Sequence, residues 1–61
     1  MNVEGVKYSR FRVAFRDEHG KRVRWIRWSP AVYFLGSELA REFSDRGIAP
    51  RGDVRITELA S

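Results

Sequence analysis

Phe11, Val13 and Phe15 alternate with Arg10, Arg12, Ala14 and Arg16, and a second alternating segment follows the short stretch Asp17-Glu18-His19-Gly20. A two-residue period places every second side chain on one face, so this is the pattern of a half-buried strand with an apolar and a basic side. The four turn residues suit a type I turn closed by Gly20 in the left-handed conformation, which fixes the register of a hairpin. With that closure Arg16 faces Arg22, Phe15 faces Val23, Ala14 faces Arg24, Val13 faces Trp25 and Arg10 faces Trp28. Phe11, Val13, Phe15, Val23 and Trp25 then share the core face. Arg10, Arg12, Arg16, Arg22, Arg24, Ile26 and Trp28 share the other, and Arg27 is the one misfit. A bulge near Ile26 would instead turn Ile26 and Trp28 inward.

The rest of the chain supplies what must cover that hairpin. Ser29-Pro30 reads as an N-cap followed by a first helical residue, and Gly47 as a stop, which predicts a helix over Pro30 to Arg46. Its apolar side is Val32, Leu35, Gly36, Leu39, Ala40 and Phe43, with Gly36 allowing close approach to the sheet. Glu38, Arg41, Glu42 and Asp45 line the solvent side, and Phe34 falls among them. A break at Gly36-Ser37 is the competing local reading. Pro50-Arg51-Gly52 then reads as a turn, and Val54 to Leu59 alternates again as a third strand.

A right-handed crossover through the helix sets the third strand beside the first. The expected fold is therefore α+β: a single ββαβ domain over residues 8–61, a three-stranded antiparallel sheet of order 2-1-3, and one helix on one face. Residues 1–7 lack a sustained period and read as an N-terminal arm. Sixty-one residues allow one small core, since a chain of this length buries only about 60% of its unfolded surface. No cysteine and a single histidine leave packing or self-association as the means of stabilising it, so a homodimer is expected.

Charge is distributed unevenly along this plan. Seven of the twelve Lys and Arg residues lie between Tyr8 and Trp28 against two acids, while the remainder of the chain is close to neutral. Facing arginines such as Arg16 and Arg22 weaken a sheet unless something compensates. A phosphate backbone would do so, with Arg10, Arg12, Arg16, Arg22, Arg24 and Arg55 as contacts and Trp28 available to stack on a base. The expected function is a non-catalytic nucleic-acid-binding module, for DNA or RNA alike. The alternative is a small phage- or plasmid-type interaction or inhibitor protein that docks the same face on an acidic protein surface. Ile26, Tyr33 and Phe34 are the candidate subunit or partner contacts.

Other chemistry has little to work with. His19 sits in a turn without a second ligand nearby, and Glu38 and Glu42 have Arg41 and Arg46 as ordinary helical partners. No catalytic or metal site, cofactor or small-molecule substrate is expected. The longest apolar run, Ala31 to Leu35, is too short to span a bilayer, and Met1 to Gly5 lacks the regions of a secretion signal, which points to a cytoplasmic protein. From about Tyr8 to Leu59 the order of elements resembles that of some small phage-encoded inhibitors of host RNA polymerase and of an archaeal large-subunit ribosomal protein. That likeness is one of topology alone and transfers no residues.

Overall fold

A computed structural model describes residues 7–60 of the chain. Apart from Lys7, the expected N-terminal arm lies outside those residues. The elements run β1 (Ser9–Arg16), β2 (Arg22–Ser29), α1 (Val32–Arg46) and β3 (Arg51–Ala60). They form one antiparallel sheet of order β2-β1-β3, with α1 packed on a single face. The fold is thus the ββαβ arrangement that the alternating segments imply.

The hairpin closes as its turn residues dictate. Gly20 adopts φ +82°, its N–H donates to the Asp17 carbonyl at 2.9 Å, and the Asp17 N–H donates to the Lys21 carbonyl at 2.9 Å. The Asp17 carboxylate adds two bonds, accepting from the backbone N–H groups of His19 and Lys21 at 2.9 Å each. The β1–β2 ladder then runs without a shift from Arg16 opposite Arg22 to Ser9 opposite Ser29. No bulge turns Ile26 or Trp28 inward, and both remain exposed.

Below the sheet, Phe11, Val13 and Phe15 meet Leu35 and Leu39 in a core closed at its margins by Val23, Trp25, Phe43, Ile48, Val54 and Ile56. Val13 and Leu35, each 0% exposed, mark its centre. Phe15, Trp25 and Phe43 form an aromatic wall: Phe15 meets the other two rings edge-on at 5.0 Å, and Trp25 lies 5.7 Å from Phe43. Such contacts add to what the buried area alone contributes.

The helix departs from its sequence reading at the start. Ser29 is held in the β2 ladder opposite Ser9 and is fully buried, so it does not cap. Its hydroxyl donates instead to the Ala31 carbonyl at 2.9 Å, the same oxygen that accepts the Leu35 N–H. Ala31, extended at φ −159° and ψ 155°, is the residue at which the chain turns into the helix. Beginning at Val32, the helix buries a narrower stripe than expected, and Val32 and Ala40 are exposed. Gly36 interrupts nothing, and a Cβ placed there would meet no atom within 4 Å, so it is not a close-approach residue. The stop at Gly47 is as expected: at φ +68° it lets its own N–H reach the Ser44 carbonyl and that of Ile48 reach the Phe43 carbonyl, a Schellman closure that draws Ile48 onto the core.

Two outcomes follow from this local geometry. Gly36→Ala should stabilise the domain by about 0.5–1 kcal/mol in urea denaturation, because it restricts the unfolded chain without a clash, whereas Gly47→Ala should destabilise it. The Lys21 amide foremost, helped by that of His19 and opposed by desolvation, holds the Asp17 carboxyl below the ordinary aspartate range. Its contribution is therefore full above the unfolded aspartate pKa and is lost as pH falls through the lowered folded value. Amide shifts of His19 and Lys21 should titrate together with the Asp17 carboxyl carbon in NMR spectra, and the amide titration should vanish in Asp17→Asn.

Candidate nucleic-acid interface

The face of the sheet opposite the helix is built by the even-numbered residues of β1 and their partners. Four rows cross it. Trp28 and Arg10 form one, Ile26, Arg12 and Thr57 the next, then Arg24, Ala14 and Arg55, and finally Arg22, Arg16 and Arg51 at the hairpin-tip end. All six arginines assigned from sequence, Arg10, Arg12, Arg16, Arg22, Arg24 and Arg55, are exposed on this one surface, and Trp28 joins them at 58% exposure.

Arg51 belongs to the same surface, although Pro50-Arg51-Gly52 has the sequence of a turn. The β1–β3 ladder shifts between Ala14 and Arg16, where Gly52 takes φ +78°. Three residues of β3, Gly52, Asp53 and Val54, thereby lie opposite Phe15 alone. The shift extends the strand to Arg51 and adds two residues, so Arg51 keeps the parity of Arg55. That shared parity is the signal the sequence does contain. Tyr8, one residue ahead of β1 and in step with Arg10, is likewise exposed near Trp28's end of the sheet.

The electrostatics of the two layers differ. Among the described residues, the ion pairs lie on the helix side: Glu42 accepts from Arg27 at 3.0 Å and lies 3.2 Å from Arg46. Arg27 is the misfit of the alternating pattern, and this pair explains it. It lies on the helix side of β2, where its guanidinium sits 4.8 Å from the Trp25 ring centroid, with that of Arg46 at 5.3 Å. Glu42, read as solvent-facing, is accordingly half-buried. None of Arg10, Arg12, Arg16, Arg22, Arg24, Arg51 or Arg55 has a described carboxylate within 4.0 Å.

The candidate partner contacts are not brought together. Ile26 is on the arginine face, while Tyr33 and Phe34 are exposed on the helix, their rings 6.1 Å apart and edge-on. No group of three or more potential metal ligands occurs among the described residues, and no described helix is long and apolar enough to cross a membrane. Comparison of the chain with family models, curated proteins and solved structures gives no match.

Seven guanidinium groups on one sheet face, without carboxylate partners among the described residues, repel one another in the free protein. The melting temperature should therefore rise with added salt, as screening weakens that repulsion. Arg22→Thr should raise the low-salt melting temperature by about 1–5 °C and reduce the salt dependence. Calorimetry of the two proteins across a sodium chloride series measures both effects.

Proposed function

We propose that this chain is a non-catalytic nucleic-acid-binding module that lays its helix-free sheet face on phosphates. The observation that carries the proposal is the alignment of seven arginines on one surface, none with a carboxylate partner among the described residues, while the ion-paired Arg27 and Arg46 lie on the helix side of the sheet. Guanidinium groups match phosphate oxygens bidentately and retain their charge at any physiological pH. Trp28 stands on the same face with its ring in solvent, where a base can stack on it. Self-association belongs on the helix layer, at Tyr33 and Phe34, because apposing two arginine faces would bring like charges together.

The test is a titration of wild type, Arg24→Ala and Trp28→Ala against single-stranded and duplex nucleic acid at several salt concentrations. With four to six phosphate contacts, log affinity should fall with log salt by about 0.7–0.9 per contact. Arg24→Ala should flatten that dependence by about one contact and leave sequence preference unchanged. Trp28→Ala should cost about 1–3 kcal/mol on single strands and far less on duplex. No binding at low salt overturns the proposal and favours an acidic protein surface, whose loss would be dominated by an aromatic anchor.

A further inference from the structure

The arginines at the hairpin-tip end form a compact cluster in two adjacent rows, unlike those of a track that follows a backbone. Arg22, Arg16 and Arg51 occupy one row across the three strands, and Arg24 and Arg55 flank Ala14 in the adjacent row. Strand and residue spacings place these five Cα positions within an area of about 10 by 7 Å. The methyl group of Ala14 leaves a floor at the centre where a long side chain would otherwise stand. Over it lies a half-open depression of about 680 Å³, lined by all five arginines, with Asp53 as the one carboxylate on its wall. At the outer rim, the Arg16 guanidinium is held at the hairpin turn, where its Nη1 donates to the Gly20 carbonyl at 3.3 Å. The Arg51 guanidinium reaches the same turn, 3.3 Å from where a Cβ on Gly20 would sit.

A nucleic-acid backbone carries one charge per nucleotide and would leave much of this cluster unneutralised. Linked phosphates bring several charges and many acceptor oxygens into the same small volume. We infer that the depression over Ala14 is an oligophosphate site that holds a short chain of linked phosphates among Arg16, Arg22, Arg24, Arg51 and Arg55. Inorganic tripolyphosphate, a nucleoside triphosphate and the 5′-triphosphate end of an RNA share this chemistry. For the strand end, which rests on the nucleic-acid reading above, the bases extend along β1 toward Ile26 and Trp28; the row of Trp28 lies about 13 Å from that of Ala14.

The experiment uses the full chain in calorimetry and amide-shift mapping, at matched ionic strength, with orthophosphate, inorganic tripolyphosphate, adenosine triphosphate and one short single-stranded RNA bearing either a 5′-hydroxyl or a 5′-triphosphate. Tripolyphosphate should bind at least about tenfold more tightly than orthophosphate, with shifts centred on Ala14 and its neighbours and not on Trp28. Arg24→Gln should weaken tripolyphosphate about tenfold, and Asp53→Asn, which removes the carboxylate from the wall, should tighten it. Both positions are exposed, and neutralising Arg24 relieves repulsion, so both variants should fold. Preference for the 5′-triphosphate RNA over the 5′-hydroxyl form assigns the strand end as the ligand. Equal binding of the two RNAs, with tripolyphosphate still mapped to Ala14, assigns the free oligophosphate. Tripolyphosphate binding no tighter than orthophosphate, or shifts spread evenly over every arginine, overturns the site. Failure of the nucleic-acid reading is separate and appears as no binding of the 5′-hydroxyl RNA at any salt concentration.

Discussion

Burial of Phe11, Val13 and Phe15 beneath Leu35 and Leu39 is the constraint from which the rest of the molecule follows. All three side chains belong to the central strand, so their two-residue spacing sets the parity of both neighbours through the ladders on either side. A slip of one residue would turn them to solvent and drive Arg10, Arg12 and Arg16 under the helix. Each large apolar side chain contributes about 1.5–3 kcal/mol when fully buried, and an unpaired buried charge costs more than that. The two penalties act together, so the register that makes the core is also the one that gathers the arginines outside it.

The chain solves the problem of charge near its core in two different ways. On the helix side, Arg27 and Arg46 converge on Glu42 and cover the edge of Trp25. The stems of these side chains shield apolar surface while the charged ends pair. This cover lies along β2, the strand nearest the helix and one edge of the sheet. The other edge, β3, is broken by register shifts near Gly52 and Leu59, a known means of making an open edge a poor template for another strand. On the opposite face no comparable pairing occurs among the described residues. The same residue type is thus paired where it supports the fold and left available where the fold does not need it.

How much of this is legible in the sequence depends on the range over which each feature is determined. The hairpin register rests on a turn and on alternation within a few residues of it, and both can be read along the chain. Arg27 could only be recognised as a misfit, because Glu42 is supplied by an element whose rotation is set by packing. Ser29-Pro30 has the local chemistry of a helix start, yet pairing with Ser9 retains Ser29 in the sheet, so a tertiary contact prevails over a capping preference. Gly36 suggests close approach by its type, but the space around it is empty. Arg51 shares its parity with Arg55, while the shift that extends the strand past Gly52 depends on a backbone conformation that spacing alone does not specify. Of the site, the membership of one face was readable, and the clustering around Ala14 required the position of β3.

The cost of the arginine face bears on how stability and binding are related in so small a domain. A core of this size rarely supplies more than about 3–5 kcal/mol net, and mutual repulsion on the free face subtracts from it. A polyanion that binds only the folded chain returns stability by mass action, about 2.7 kcal/mol at one hundred times its dissociation constant. That gain is comparable to the whole margin of the free domain, and part of it is the removal of a repulsion the free fold already carries. Neutralising the arginines would accordingly stabilise the free protein while weakening any complex with such a polyanion. On the proposed function, stability of the free domain and affinity pull in opposite directions, because the residues that weaken the free sheet would be those that hold a phosphate-bearing partner.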